Sequence, residues 1–261
     1  MTGNVTFPHA DLVLHGRAGH GQPNFNAYLN RDICTERRNA DLIIHLQICL
    51  QQHNPPGGTG TMEDYDRNAV PVRTWSPTEW TSWQDRYVRT CTEFWNNHFW
   101  LRTPEGCDDL NYVHGSRTFR CNAVCGFRIE TTSDPLGAHA VIPVVRLDGP
   151  HSFRSHALLY DHGDMDPVSF PEARTNFFTH LHEVGHLLGL SHPGEGTVAE
   201  CRTGSEHVCY AADPDSVMGL GSERRMDHAR PWQIAIAHLT GTRPNDWRPQ
   251  MHVHPPQPIG S

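Results

Sequence analysis

The sequence predicts an α+β fold, and three observations indicate it. Residues 40–50 alternate apolar and polar side chains, which is typical of a half-buried strand. Two capping-box patterns, beginning at Ser76 and Ser169, each announce a helix. Three short strand-like runs lie between these helix starts. The resulting order is strand, helix, three strands and helix, in a chain of 261 residues that is long enough to bury a substantial core.

The first elements follow from the N-terminal third of the chain. Residues 1–39 are polar and aperiodic, so we expect an irregular leader. After the strand at residues 40–50, a first helix is predicted from Ser76 to about Phe99, with an aromatic stripe along one side. We interpret the stripe as a buried face, and a ligand surface is the alternative. Its members are Trp80, Trp83, Tyr87, Cys91, Phe94 and His98.

The middle of the chain predicts a loop, three strands and a second helix. Residues 102–126 are expected to form a Cys-containing loop. The second helix is expected to begin at the capping box Ser169–Glu172. The strands are predicted at residues 127–132, 138–147 and 156–160.

Composition excludes some function classes. The formal net charge of -8 argues against a surface that follows nucleic-acid phosphates. No run of residues reaches the roughly 18 to 20 apolar positions that span a bilayer, so we expect a soluble protein, without membrane or nucleic-acid partners, that acts as a monomer. The N-terminus shows no basic region followed by an apolar stretch, so an export signal of that kind is not visible.

Eight cysteines, an even number, favour disulfides and an exported protein. The alternative is a set of buried thiols in a cytosolic enzyme. The favoured pair is Cys201 with Cys209, because both lie in one polar loop. Cys34, in the leader, is also expected in a disulfide, and the remaining pairing is left open.

The sequence HEVGHLLGLSH at residues 182–192 carries the predicted chemistry. On a helix, residues four apart lie one turn along and about 40° round, so His182 and His186 point to the same side and can share one metal ion. His192 would lie on the wrong face of a straight helix. Gly189 can take the left-handed conformation that ends the helix, which lets His192 return as a third ligand.

Three neutral imidazoles leave a tetrahedral zinc with an open fourth position, which is typical of catalytic sites. Glu183 would then act as general base and general acid in metal-assisted amide hydrolysis. By this chain's own composition, the five fixed positions coincide by chance on the order of once in two thousand such chains. We therefore expect one catalytic Zn²⁺, and a protein or peptide substrate.

Asp161, Asp164 and Asp166 cluster in the loop before the second capping box. Oxygen ligands at such spacing can hold calcium. The loop lacks the full pattern of a known calcium site, so we interpret it as a solvated acidic loop and keep calcium as the alternative.

The run at residues 182–192 matches the HExxHxxGxxH signature, and the chain resembles the metzincin clan of zinc peptidases. The resemblance implies an upper lobe with a twisted mixed sheet and two long helices, and an irregular lower lobe with a C-terminal helix. It also implies a methionine in a tight turn beneath the ligands, for which Met218 is the candidate. On this basis the leader, upper lobe, lower lobe and a flexible tail are expected at residues 1–39, 40–192, 193–242 and 243–261.

The subfamily is not assigned. Leu220 stands where astacin-like and serralysin-like members carry a Tyr, so transition-state stabilisation is expected from backbone groups or Tyr210. The Cys-flanked loop before Met218 is loosely similar to pappalysin-like enzymes. The clan's substrates add as a strand to the sheet edge, and we expect that edge at His139, Ala140, Val141 and Ile142, where the nearby Pro143 favours an edge strand.

The function predicted from the sequence is an exported zinc endopeptidase, either nutritional or a toxin. Two alternatives remain. A non-catalytic zinc-binding recognition module would have no need for Glu183, and a zinc hydrolase of a non-peptide amide would use the same residues.

Overall fold

The computed structural model describes residues 10–15, 23–195, 209–210 and 212–259. It shows an α+β protein in which helices pack on a large mixed sheet, and this confirms the fold class. The described helices are α1 (Pro77–Trp95), α2 (Thr179–Leu187) and α3 (Arg230–Thr240). Among the described residues, no helix combines the length and apolar character needed to cross a bilayer.

Among the described residues, ten strands form the larger sheet, and three form a smaller one. The larger sheet contains β1 (Leu12–Leu14), β2 (Phe25–Asn30), β3 (Ala40–Gln52), β4 (Thr59–Glu63), β5 (Ala69–Arg73), β6 (Phe99–Arg102), β9 (Ala123–Thr131), β10 (Ala140–Leu147), β11 (Tyr160–Asp161) and β12 (Arg248–Gln250). The smaller sheet contains β7 (Asn111–His114), β8 (Arg117–Arg120) and β13 (Gln257–Ile259).

The main path of the larger sheet runs β12-β6-β9-β3-β10-β5-β4, with β3 at its centre. Strand β3 pairs in parallel with both β9 and β10, and β2 pairs antiparallel with its first half. The predicted alternation in β3 is confirmed, because Leu42, Ile44, Leu46, Ile48 and Leu50 are all buried on one face. These five side chains are part of the main apolar core.

Helix α1 begins at the predicted capping box. Ser76 Oγ accepts from the backbone N–H of Glu79, and the Glu79 side chain accepts from the N–H of Ser76. The interpretation of the aromatic stripe as a buried face is confirmed for Trp83, Tyr87 and Cys91, and Trp80 and Phe94 pack against the core while partly buried. The helix ends at Trp95 rather than near Phe99, because Asn96 is extended and Asn97 takes a left-handed φ of 59°, which turns the chain into β6.

Two segments are more ordered than the sequence predicted. The leader contains β1 and β2, which pair with each other, and β2 extends the sheet beside β3. The region of residues 102–126, expected as a loop, contains the hairpin of β7 and β8. The strands in both segments are three to six residues long, and β2 and β8 also pair with β3 and β13 from other parts of the chain, which a local pattern does not reveal.

The tail was expected to be flexible, and this prediction is wrong as far as Ile259. Trp247 is fully buried, β12 pairs with β6 at the sheet edge, and β13 joins the smaller sheet. The Pro- and His-rich composition hid these elements, since two of the prolines lie within edge strands, where the missing N–H is tolerated.

Candidate metal centre

Helix α2 begins later than predicted. Ser169 Oγ contacts Asn176 Oδ1 at 2.9 Å instead of capping a helix, and Val168 and Phe177 form an isolated bridge. The capping-box prediction at Ser169–Glu172 is therefore wrong. The helix starts at Thr179, with Phe178 at the N-cap position and no side-chain cap.

A buried histidine takes over the anchoring of this helix. His180 Nδ1 donates to the carbonyl oxygen of Asp164 at 3.1 Å, and His180 Nε2 lies 2.9 Å from Thr90 Oγ1 on α1. These contacts fix the first turn of α2 between α1 and the preceding loop. The positions of His182 and His186, which follow on the same helix, are thereby fixed.

The end of α2 is built as predicted. Leu188 is the C-cap, Gly189 has a φ of 90°, and the backbone N–H of Leu190 donates to the carbonyl of Gly185 at 2.9 Å. A left-handed residue at this place suits glycine, which has no Cβ to clash. The chain then reverses, so that His192 comes back toward the helix.

The structure brings His182, His186 and His192 together. Their Nε2 atoms form a triangle with sides of 3.0 Å, 3.0 Å and 3.3 Å. Within the described part of the chain, this is the only group of three or more His, Cys, Asp or Glu side chains that could hold a metal ion. Three imidazoles that converge on one point are typical of a metal site.

Hydrogen bonds on the far side of the rings decide which nitrogen carries the proton. His182 Nδ1 donates to the carbonyl of Val217, and His186 Nδ1 donates to the carbonyl of Leu190, both at 2.8 Å. A carbonyl can only accept, so the proton of each neutral ring lies on Nδ1. The Nε2 lone pairs of these two rings therefore face each other, and a shared cation stabilises that arrangement.

Burial keeps the rings of His182 and His192 neutral. It lowers the pKa of His182 well below the ordinary value, and positive charge on the other two rings would lower it further. Burial also lowers the pKa of His192 to about 4, with charge on His186 as the next cause. Neutral imidazole is the form that binds metal.

The proposed turn around Met218 lies directly against this helix. Met218 is buried, and a Cβ built on Gly185 would overlap its sulfur atom. Gly185 lies between His182 and His186 in the sequence, so the close approach of Met218 depends on the missing side chain. The same turn supplies the Val217 carbonyl to His182.

Ion pairs and hydrogen bonds hold the turn. Asp215 accepts from the backbone N–H of Arg174 at 2.6 Å and from Arg174 Nε at 2.7 Å. Asp213 is paired with Arg225 at 2.6 Å and 2.8 Å. These arginines lower the pKa of both carboxyl groups, so both pairs remain charged at neutral pH. The glycine at 219 is required, since a Cβ there would overlap the carbonyl of Asp213.

Glu183 is buried at 7% exposure and follows His182 on α2. Its charge is one cause of the raised pKa of the buried Tyr160, second to desolvation. The carboxylate and that phenol are therefore near each other inside the protein. A buried carboxylate beside a metal-binding histidine is the arrangement expected for an acid–base residue.

Three side chains border the histidines, and two of them were not named from the sequence. The ring of Tyr210 lies 4.4 Å from the ring of His192, and the ring of Phe177 lies 5.2 Å from that of His182, between centroids. The charge of Arg154 contributes to the lowered pKa of His192. Tyr210 was among the sequence-based candidates. No local pattern marks Phe177 or Arg154, because both approach through the tertiary fold.

The predicted substrate edge at His139, Ala140, Val141 and Ile142 stays a prediction. In this part of β10 the strand pairs with β3 on one side. The other described partners, β11 and β5, pair with β10 only at Val144–Val145 and at Arg146–Leu147. His139 Nδ1 accepts from the backbone N–H of Gln47 at 2.8 Å, which directs its ring toward β3. Pro143, which favoured an edge, is accommodated opposite Gln51 in the parallel ladder.

The prediction of a solvated acidic loop is correct only for Asp166. Asp161 and Asp164 are buried, and burial raises the pKa of both carboxyl groups. Ser155 Oγ donates to Asp164 at 2.9 Å, and the N–H of Gly163 donates to Asp161 at 2.6 Å. Their oxygens are thus occupied by hydrogen bonds from the chain itself.

One of the predicted disulfide cysteines is confirmed as bonded. Cys209 is in a disulfide, while its expected partner, Cys201, lies outside the described residues. Among the described cysteines, six are free thiols and all six are buried; Cys34 is one of them, so the disulfide expected at Cys34 is absent from the structure. The bonded Cys209 directly precedes Tyr210 at the metal centre.

Comparison with protein-family models, with curated proteins and with solved structures gave no match for this chain. The candidate metal site is therefore the basis for assigning a function.

Proposed function

We propose that the chain is a zinc-dependent endopeptidase of the metzincin type. The observation that carries the proposal is the triangle of Nε2 atoms from His182, His186 and His192, 3.0–3.3 Å on a side, with Glu183 next to the first of them on one buried helix. The position of Met218 against Gly185 supports the assignment to the clan.

The donor set favours zinc. A tetrahedral ion with zinc–nitrogen distances of about 2.0–2.1 Å separates its ligand nitrogens by about 3.3 Å, close to the triangle described above. Calcium and magnesium prefer oxygen ligands, so three imidazoles disfavour both. Three protein ligands are the usual number in catalytic zinc sites, where the fourth position is left for water or substrate. When bound, zinc would polarise the scissile carbonyl and lower the pKa of the attacking water.

Glu183 is the proposed acid–base residue. Its carboxylate takes the proton from the attacking water and passes it to the nitrogen of the leaving amine. The same carboxyl group is then ready for the next cycle. A recognition module without catalysis would have no use for a buried carboxylate at this position, whose burial carries a free-energy cost.

We also propose that the protein acts outside the cytosol. The disulfide at Cys209 supports this location, because disulfides persist in oxidising compartments. The substrate is a protein or peptide that adds as a strand to the edge of β10 at His139–Ile142, where the described strands pair on one side only.

The test is cleavage of denatured, alkylated casein by the zinc-loaded protein, with and without a chelator. We expect cleavage that is abolished by the chelator and restored by zinc. Glu183→Gln should cut at least about 100-fold more slowly while it retains its zinc. Glu172→Gln, which changes an exposed carboxylate, is the matched control and should cut normally.

Two outcomes would overturn the proposal. Equal cleavage by the wild type and by Glu183→Gln would exclude the role of this carboxylate. If the zinc-loaded wild type cuts no peptide, the non-catalytic module or the hydrolase of a non-peptide amide replaces the endopeptidase.

A further inference from the structure

Two buried thiols meet at the junction of the two sheets. The side chains of Cys34 and Cys121 are neighbours, since each thiol affects the pKa of the other. Cys34 is 6% exposed, and Cys121 is fully buried. Cys121 Sγ also lies 3.5 Å from the carbonyl oxygens of Thr35 and Arg38, so it is seated inside the loop that begins at Cys34.

The other free thiols have different neighbours. Cys49 lies 3.9 Å from Gln51 Nε2, Cys91 contacts the Tyr87 hydroxyl, and Cys107 lies 3.8 Å from an Asp109 oxygen. Cys125 is fully buried on β9. Among the described free thiols, mutual proximity is seen for Cys34 and Cys121.

Cys34 and Cys121 lie just before the two central strands β3 and β9, so a disulfide between them would stabilise the pairing of these strands. The loop of residues 31–39 precedes β3, and Cys121 precedes β9, its parallel partner. Asn122 N–H donates to Asn39 Oδ1 at 2.9 Å, and Ala40 N–H donates to the Asn122 carbonyl at 3.0 Å. A covalent link at this point would fix the register in which the two central strands start.

We propose that Cys34 and Cys121 form a second disulfide when the protein folds in an oxidising compartment. The oxidant is a small-molecule disulfide. Two cysteine S–H bonds and the S–S bond of the oxidant break, while the Cys34–Cys121 bond and the S–H bonds of two small thiols form. Both sulfurs are buried in the final fold, so the exchange takes place before the loop closes.

A bond between these positions would stabilise the protein substantially. Cys121 lies 86 residues after Thr35, so the closed loop is long. Closing a long loop removes much of the conformational entropy of the unfolded chain. For a chain of this size, the expected effect on Tm is on the order of 10 °C.

The direct test is a map of the thiols. Reduced, unfolded protein is refolded in a mixture of reduced and oxidised glutathione, then alkylated and digested without reductant. We expect a peptide pair that joins Cys34 to Cys121, and alkylation of Cys49, Cys91, Cys107 and Cys125. Alkylation of both Cys34 and Cys121, or a bond from either one to another cysteine, would overturn the proposal.

A thermal measurement separates this bond from the disulfide of Cys209. In the refolded Cys201→Ser/Cys209→Ser background, a reductant should lower Tm by about 10 °C. Adding Cys34→Ser should abolish the effect of the reductant, whereas adding Cys107→Ser, the control, should leave it in place. An unchanged Tm of the background protein in reductant contradicts the bond.

Discussion

At the three histidines, the positions of the ring nitrogens depend on groups that do not touch a metal. The carbonyls of Val217 and Leu190 hold the Nδ1 protons of two rings. Met218 fills the space over Gly185, where any side chain would collide with its sulfur. These supporting contacts set how well the site binds a metal, because they fix the tautomer and the angle of each ring.

Gly185→Ala tests this support. The new methyl group has to displace Met218, which moves the turn that bears the Val217 carbonyl. We expect the affinity for zinc to fall by about 10-fold to 100-fold, measured by competition with a chromophoric chelator.

The double variant Gly185→Ala/Met218→Ala is the matched control for steric overlap. It removes the sulfur that the methyl group meets, so it should recover part of the zinc affinity that Gly185→Ala loses. Wild-type affinity in the single variant would show that the contact has no influence on the metal centre.

Tyr210 is another single residue whose role can be tested. Its ring lies 4.4 Å from that of His192. Leu220, two residues after Met218, has no hydroxyl group that could take this role. If its hydroxyl donates to the oxyanion, Tyr210→Phe should lower kcat by about 100-fold with KM and zinc content unchanged. Tyr65→Phe is the control, and equal kcat values in the two variants would exclude this role.

At the scale of elements, helix α2 and the turn of residues 213–221 form one unit with the 3-10 turn Met226–Ala229. His228 connects them: its Nδ1 accepts from the Arg225 N–H at 3.0 Å, and its Nε2 lies 3.1 Å from Ser216 Oγ. Ser216 Oγ in turn accepts from the N–H of Met218. The metal-supporting turn is therefore held by a neutral histidine.

This connection predicts a dependence of stability on pH. Burial lowers the pKa of His228 to about 4 from an ordinary value of 6.5. The charge of Arg225 also lowers this pKa, while the nearby carboxylates of Asp227 and Asp213 each raise it by less than burial lowers it. The folded protein takes up this proton less readily than the unfolded chain. The stabilisation is therefore complete above about pH 6.5 and is lost as the pH falls toward 4, up to about 3 kcal/mol.

The measurement is urea unfolding of the metal-free protein between pH 8 and pH 4, for the wild type and for His228→Gln. The free energy of unfolding of the wild type should fall more steeply over this range, because glutamine does not titrate. Parallel curves for the two proteins would show that His228 does not contribute to the pH dependence.

At the scale of the whole molecule, the C-terminal segment closes one side of the main sheet. Trp247 is fully buried, its Nε1 donates to Thr242 Oγ1 at 2.7 Å, and its carbonyl accepts from Gln233 Nε2 at 2.6 Å. Strand β12 follows immediately and pairs with β6. The end of the described chain is thus part of the core structure.

Trp247→Ala should therefore destabilise the protein by about 3–5 kcal/mol, because it leaves a large cavity. Met251→Ala, four positions on and exposed, should change the free energy of unfolding by no more than about 0.5 kcal/mol. Chemical denaturation of both variants checks this. A small effect at Trp247 would restore the expectation of a flexible tail.

The parts of the molecule that the sequence predicted are those determined by short-range geometry. The spacing of His182 and His186, the break at Gly189 and the capping box at Ser76 each depend on a few neighbouring residues, and the structure has them as expected. Pairing between distant segments follows other rules. The hairpin of β4 and β5 was not predicted, because its pairing with Arg146 and Leu147 of β10 joins segments that are far apart in the chain.

The difference between local signals and long-range contacts also explains why the start of α2 was predicted wrongly. The box at Ser169–Glu172 satisfies the local signal for a helix, but the bridge between Val168 and Phe177 uses that segment for a turn. His180, which replaces the missing cap, depends on Thr90 from a distant helix. Tertiary contacts override local propensity at such positions.

X-ray absorption at the zinc edge tests the central claim most directly. For the protein loaded with one equivalent of zinc, we predict three imidazole nitrogens from His182, His186 and His192 and one oxygen, all at about 2.0–2.1 Å. His192→Ala should lose one imidazole from this shell. A sulfur ligand at about 2.3 Å, or a fourth imidazole that closes the site, would contradict a catalytic zinc centre.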